Sequence, residues 1–139
     1  MILLDTNVIS EPWKPAPDSE VLTWLDAQAI ETLFISAISI VVLRFGIASM
    51  PSGKRQTILH DRLEGEVLPL FNGRILSFSL GTSQFYAQLM AGGRGSGKAI
   101  AKTDGYIAAT AAENHLAVAT RDTSPFEAAG LRVINPWAA

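Results

Sequence analysis

The sequence contains no cysteine, so disulfide bonds and thiolate metal ligands are excluded. It also lacks an excess of one charge, because 11 basic and 13 acidic residues give a formal net charge of -2. Any contact with nucleic acid must therefore depend on a local group of basic side chains. The longest apolar run, 33–43, is about half of the roughly 20 residues that a membrane span needs. No charged segment precedes the first apolar run, so we expect no signal peptide and a cytoplasmic location.

What the chain does contain is a series of short apolar segments separated by amphipathic ones. It has 139 residues, of which 48% are hydrophobic, which suits a single domain over 1–139 with a substantial core. Strands are predicted at 1–4, 33–35, 73–78 and 116–120, with an edge strand at 133–134. Helices are predicted between them: one that Asp18 or Ser19 caps and that contains 21–25, one that Ser36 caps and that contains 38–47, others at about 55–69, 79–90 and 103–115, and a short one that Ser124 caps. This alternation is typical of an α/β fold, with a mostly parallel sheet covered by helices on both faces.

The helix that follows the second strand is unusually apolar. Ser36 is a natural N-cap for it, as Asp18 or Ser19 is for the preceding helix. One set of its apolar residues recurs at the spacing i, i+3, i+4 and i+7, namely Ile38, Val41, Val42 and Phe45. Other faces are apolar too. The pattern therefore predicts a mostly buried helix in which Val42 extends a buried face.

Three acids occupy positions where a parallel sheet can bring them together. Asp5 and Asp122 each follow a short apolar strand, and Asp104 lies in the first turn of a predicted helix. Each has an ordinary explanation alone, since acids cap loops and stabilise helix N-termini. Ligands of open α/β sheets bind at the carboxyl ends of strands, however, and clustered carboxylates repel each other unless a cation lies between them. Oxygen ligands without nearby His or Cys favour Mg²⁺ or Mn²⁺.

The glycine-rich segment 92–98 is similar to part of a phosphate-binding loop. Gly92 is followed after four residues by Gly97 and Lys98, but the motif then requires Ser or Thr where this chain has Ala99. The segment also follows a predicted helix rather than a strand. A flexible loop between two helices is the preferred interpretation.

Three segments together resemble the PIN domain: 3–7 (LLDTN), 103–111 (TDGYIAATA) and 119–122 (ATRD). Segments 5–12 and 104–110 are similar to the VapC toxins, and most of all to their FitB-like branch, which 135–137 (NPW) also fits. The resemblance covers essentially the whole chain. It implies a three-layer α/β/α sandwich, and the toxin of a type II toxin–antitoxin system that acts as a Mg²⁺- or Mn²⁺-dependent endoribonuclease.

The resemblance also assigns roles to residues. It implies catalytic carboxylates at Asp5, Asp104 and Asp122, of which Asp5 and Asp104 bind the metal directly. Thr6, Asn7 and Thr120 would orient these ligands. Basic side chains would contact RNA phosphates or an antitoxin, namely Arg44, Lys98, Lys102 and Arg121. The implied partners are RNA, a cognate small DNA-binding antitoxin and a second copy of the chain. Self-association would use the apolar surface around Leu43 and Phe45 and two aromatics expected to be exposed, Trp13 and Trp137.

One position departs from the family pattern. The resemblance implies a fourth acid, a Glu just before the segment 43–46 (LRFG), and position 42 is Val. A valine cannot bind a metal ion, so we expect weakened metal binding and little or no nuclease activity. Glu11 is the nearest acid in sequence that could compensate. The alternative is a module that binds an antitoxin or RNA without cleaving it.

A phosphotransferase with an aspartyl nucleophile is a third interpretation of the acids. Such enzymes commonly have Asp-x-Asp at the first strand, and this chain has Asp-Thr-Asn at 5–7. A receiver domain would need an acidic pair near that strand, which is also absent. Both are disfavoured.

Overall fold

The computed structural model describes residues 1–95 and 99–138, with the side chains of 94 and 95 excepted. Its five described strands form one parallel sheet in the order β3-β2-β1-β4-β5. The strands are β1 (Ile2–Leu4), β2 (Leu33–Ser36), β3 (Ile75–Leu76), β4 (Ala117–Ala119) and β5 (Val133–Ile134). The predicted α/β fold with a parallel sheet is confirmed.

Eight described α-helices connect and cover these strands. They are α1 (Thr6–Ser10), α2 (Ser19–Asp26), α3 (Ala37–Ala48), α4 (Lys54–Arg62), α5 (Leu68–Leu70), α6 (Leu80–Gly95), α7 (Lys102–Glu113) and α8 (Ser124–Ala128). A π-helical turn, Leu63–Val67, joins α4 to α5, so the predicted helix 55–69 is interrupted. Asp18 and Ser36 cap α2 and α3 as predicted. No helix in the described part of the chain is long and apolar enough to cross a membrane.

The two faces of the sheet pack into separate apolar clusters. Leu4 and Ile35 belong to one cluster, whereas Leu3 and Val118 belong to the other. Successive strand residues point to opposite faces, so neighbours such as Leu3 and Leu4 necessarily enter different clusters. This arrangement is the expected three-layer sandwich.

The predicted buried face of α3 is wrong. Ile40, Leu43 and Ile47 are buried, whereas Val41, Val42 and Phe45 are 61%, 36% and 74% exposed. Both sets satisfy helical spacing because α3 is apolar on more than one side, so periodicity alone could not choose between them. Val42 therefore does not extend the buried face of its helix.

Two further expectations need correction. Helix α6 continues to Gly95, so Gly92 and Gly93 are helical rather than part of a loop. Lys98 and its neighbours at 96 and 97 lie outside the described residues.

Trp13 and Trp137 are not fully exposed, because both pack partly against the first apolar cluster. Rings of this size contribute much of the apolar area that a small core needs.

Candidate active site at the carboxyl edge of the sheet

The strand order reverses between β1 and β4, which are adjacent although most of the chain separates them. Leu4 pairs with Ala119, and the Asp5 amide donates a hydrogen bond to the Ala119 carbonyl at 2.9 Å. Asp5 and Thr120 therefore leave the sheet side by side. A switch point of this kind opens a crevice at the carboxyl ends of the strands, where α/β proteins bind ligands.

Asp5 is buried and held by two hydrogen bonds. The Thr6 amide donates to its Oδ1 at 2.8 Å, which also caps α1. The Thr120 hydroxyl donates to its Oδ2 at 2.8 Å. Burial nevertheless raises the pKa of Asp5, because desolvation outweighs these two bonds, and the charge of Asp122 raises it further. The two hydrogen bonds thus fix the orientation of the Asp5 carboxylate but do not fully offset the cost of burying its charge.

Asp104 and Asp122 complete an acidic group around Asp5. Asp104 lies in the first turn of α7 and is half-buried, and Asp122 is exposed on the turn after β4. Partial burial raises the pKa of Asp104, and the charges of Asp5 and Asp122 raise it further. The structure therefore brings the three predicted acids close enough to repel one another.

One side of α3 contacts the segment that follows Asp5. The hydroxyl of Thr6 donates to the buried hydroxyl of Ser39 at 3.3 Å, which ties α3 to the Asp5 loop. Residues three apart in a helix share a face, so Val42 follows Ser39 by one turn. Ser39 was not among the predicted site residues. The only signal for it was its spacing from position 42.

The PIN-domain family model matches residues 2–131. This chain belongs to the PIN-domain family. It is 65% identical over 137 residues to the VapC ribonuclease Y4jK of Sinorhizobium fredii, covering 99% of this chain and 98% of that protein. It is 52% identical over 137 residues to toxin FitB of Neisseria gonorrhoeae, covering 99% of each. A solved structure of FitAB bound to an IR36 DNA fragment superposes with a TM-score of 0.95 at 50% identity, covering 99% of this chain and 96% of that one.

These similarities confirm the resemblance to VapC proteins and their FitB-like branch, and they place this PIN domain in a nuclease family. VapC ribonucleases of the PIN-domain family generally depend on a divalent metal. The chemistry of the donors present here fits such an ion. The site offers carboxylate oxygens and the side-chain oxygen of Asn7, which is buried without a hydrogen-bond partner among the described residues.

The fit is incomplete in one respect. Within 1–95 and 99–138, no group of three or more His, Asp or Glu side chains is close enough to hold one ion together. A PIN domain with this donor set could hold a hard cation through fewer protein ligands, with waters supplying the rest.

Glu11, the acid expected to compensate for Val42, is engaged by other groups. Its side chain is only 3% exposed, and Lys14 Nζ lies 2.8 Å from Oε1. The Asp18 amide donates to Oε2 at 2.9 Å. Its bond to Lys14 lowers the pKa of Glu11, and the Asp18 amide and the charge of Arg121 lower it further. The carboxylate is occupied in closing the loop 11–18.

The basic residues fall into different environments. Arg44 forms a two-bond pair with Glu64 at 3.1 and 2.7 Å, so its guanidinium is occupied. Lys102 begins α7, two residues before Asp104, and is exposed. Arg121 lies next to Asp122, with its guanidinium carbon 5.3 Å from the centre of the Trp137 ring. Lys102 and Arg121 thus flank the acids of the PIN domain. The contact with Trp137 was not predicted.

Proposed function

We propose that this PIN domain, over 1–139, is the toxin component of a type II toxin–antitoxin system. It would act as a Mg²⁺- or Mn²⁺-dependent endoribonuclease, with cleavage weakened or abolished in this copy by Val42. The observation that carries the proposal is the position of Val42, one helical turn from Ser39, whose side chain accepts a hydrogen bond from Thr6, the neighbour of Asp5. The similarity to a VapC ribonuclease and to toxin FitB supports the toxin assignment.

Asp5, Asp104 and Asp122 are the residues that would act on the metal, with Asp5 and Asp104 as direct ligands. When bound, the ion would polarise a backbone phosphate and activate a water molecule. Thr6 and Thr120 hold the Asp5 carboxylate in one orientation through the two bonds described above. Asn7 contributes an unpartnered oxygen at the same loop. Fixed ligands lose little conformational freedom when they bind an ion.

Val42 alters this site in two ways. It offers no oxygen donor, and it removes one negative charge that would attract a divalent cation. Asp5, Asp104 and Asp122 still repel one another, so a bound cation would still stabilise the site. It would bind less tightly than to a site with a fourth carboxylate. Glu11 is held by Lys14 and Asp18 and cannot compensate.

The proposed partners follow from the relatives and the surface. A FitAB structure contains a DNA fragment, which supports a small DNA-binding antitoxin as the partner of this chain. RNA is the proposed substrate, with Lys102 and Arg121 as its nearest described cations, and the cytoplasm is the proposed location. Lys98 is a weaker proposal for an RNA contact. Arg44 is proposed to contact the antitoxin rather than RNA, because its charge is already paired with Glu64. A second copy of the chain is the proposed partner for the exposed apolar side of α3.

The second candidate function is a PIN-fold module that binds an antitoxin or RNA without cleaving it. The same observation, an apolar residue where the resemblance implies an acid, favours it. The two candidates differ in whether a carboxylate at position 42 creates cleavage.

RNA cleavage in Mg²⁺ or Mn²⁺ separates the two candidates. The comparison uses the full chain, Val42→Glu, and Val41→Glu as the control that adds the same charge at the neighbouring, more exposed position. We expect Val42→Glu to cleave at least about tenfold faster than the other two. Equal and robust cleavage by all three, abolished by Asp104→Asn, would show that Val42 does not weaken the site. A folded but inert Val42→Glu would favour the binding module.

A further inference from the structure

Arg121, which follows Thr120 and precedes Asp122 in the chain, is supported by an aromatic ring. Its guanidinium carbon lies 5.3 Å from the centre of the Trp137 ring, where the face of an indole attracts a cation. Trp137 also packs against the first apolar cluster, which restricts the movement of its ring. Arg121 itself is exposed. The side chain is therefore oriented by packing while its charge stays open to solvent.

In the part of the chain that the structure describes, the Arg121 guanidinium donates no hydrogen bond and forms no ion pair. Its charge acts on Glu11, whose carboxylate is already engaged by Lys14 and the Asp18 amide. Arg44, Arg55 and Arg74 by contrast bond to Glu64, the Trp13 carbonyl, and the Leu33 and Leu70 carbonyls. A guanidinium carries its N–H donors in one plane, where they can form a two-bond contact with an oxyanion such as phosphate.

The segment that carries Trp137 is tied to the end of β4, just before Arg121. The Thr120 amide donates to the Ile134 carbonyl at 2.9 Å, and the Trp137 amide donates to Asn135 Oδ1 at 2.9 Å. Pro136 between them is buried. The backbones that carry the ring and the arginine are therefore held together, although 15 residues lie between them in sequence.

We propose that Arg121 binds a phosphate of the RNA beside the acidic site, and that Trp137 is a positioning residue that holds the guanidinium for that contact. The inference rests on the proposed function, in which RNA is the substrate. A polyanion that approaches Asp5, Asp104 and Asp122 is repelled by them, so a cation at their edge is needed to retain it. An arginine that is already oriented loses less side-chain entropy when it forms a two-bond contact with phosphate.

The test measures RNA binding rather than cleavage, on the full chain as it stands. The probe is a fluorescein-labelled single-stranded RNA, followed by anisotropy in metal-free buffer at several salt concentrations. The variants are Arg121→Ala, Trp137→Leu, Trp137→Phe and the double variant Arg121→Ala/Trp137→Leu. Trp24→Leu is the matched control, since Trp24 packs against the same apolar cluster as Trp137 and is not in contact with Arg121.

We expect Arg121→Ala to weaken binding by about tenfold and to reduce the slope of log affinity against log salt by about 0.7. Trp137→Leu should weaken binding by about threefold, and Trp137→Phe, which keeps a ring under the cation, should weaken it less. Trp137→Leu should have no further effect once Arg121 is Ala, because its role passes through that side chain. Trp24→Leu should lower the Tm without changing the affinity or the salt slope.

Two results would overturn the inference while leaving RNA as the substrate. The first is tight RNA binding that Arg121→Ala does not change. The second is an equal effect of Trp137→Leu with and without Arg121, which would mean that the ring supports only the fold. Absence of RNA binding by the unmodified chain would instead overturn the proposed substrate, and the inference with it.

Discussion

At the scale of single residues, the hydroxyl of Thr120 keeps the buried carboxylate of Asp5 satisfied. Thr120→Val removes that donor without changing the shape of the side chain, so one buried oxygen of Asp5 loses its partner. We expect the free energy of unfolding to fall by about 1–3 kcal/mol at neutral pH, measured by chemical denaturation. Thr120→Ser retains the hydroxyl and should lose much less. Equal stability of Val and Thr at this position would show that the bond contributes nothing.

Asp104 gives the site a pH dependence of definite sign. Partial burial and the charges of Asp5 and Asp122 raise its pKa above the ordinary value of 3.8, so the folded chain binds its proton more tightly than the unfolded chain does. Stability in metal-free buffer therefore falls as the pH rises from that ordinary value through the raised pKa, and it stays lower at neutral pH.

Asp104→Asn tests this dependence by removing the charge. We expect a higher Tm than that of the unmodified chain at pH 7, and no difference at pH 3, where the carboxyl is protonated in both states. Asp61→Asn, at an exposed acid on α4, is the control and should change little. A Tm for Asp104→Asn at or below that of the unmodified chain at pH 7 would contradict the proposed repulsion.

At the scale of elements, α6 and α7 approach closely at Gly105, the residue after Asp104. A Cβ there would lie 2.7 Å from Met90 Sδ and 3.0 Å from Tyr86 Cε2. We expect Gly105→Ala to lower the free energy of unfolding by about 1 kcal/mol, because the side chain of Met90 and the ring of Tyr86 must shift. Gly46→Ala on α3, with no heavy atom within 4 Å, should instead stabilise by about 0.5–1 kcal/mol. Denaturation curves with the same sign for both would contradict this packing.

The same elements show what the sequence could predict. The interior strands and the helix starts at Asp18 and Ser36 were predictable because each rests on a local signal: a short apolar run, or a side chain that caps its own helix. Helix α1 was missed, since its five residues are too few to show a period. The exposed side of α3 was also missed, because α3 has two apolar stripes and only the packed sheet decides which one is covered.

Some residues of the candidate site could also be predicted from the sequence, whereas others could not. Asp5, Asp104 and Asp122 could be selected from the sequence because strand ends and helix starts meet at the edge of a parallel sheet. The contact between Thr6 and Ser39 spans 33 residues and the stack of Arg121 on Trp137 spans 16. No spacing rule connects such pairs, so only the fold reveals them. The engagement of Glu11 by Lys14 and Asp18 likewise depends on how one loop closes.

At the scale of the whole molecule, α3 leaves an apolar surface uncovered. Phe45 is 74% exposed and lies beside Val41 and Val42, whereas the neighbouring Leu43 is buried and cannot take part. Exposed apolar groups of this kind commonly mark a protein interface. We propose that a second copy of the chain packs against Phe45. Phe45→Glu should shift the chain from dimer to monomer in analytical ultracentrifugation.

Leu70→Glu places the same charge at another exposed apolar residue, outside α3. It should leave the dimer intact, which separates a specific interface from a general effect of added charge. A dimer that survives Phe45→Glu, or a monomer in the unmodified chain, would contradict self-association through α3.

We propose that this PIN domain has the acidic site of a metal-dependent nuclease with one carboxylate missing at position 42. Calorimetric titration of Mn²⁺ tests this proposal. The titrated proteins are the metal-free full chain, Val42→Glu and Val41→Glu. We expect Val42→Glu to bind Mn²⁺ at least about tenfold more tightly than the other two, because it adds an oxygen ligand and a negative charge beside Asp5. Equal affinity of all three proteins for Mn²⁺ would contradict the claim.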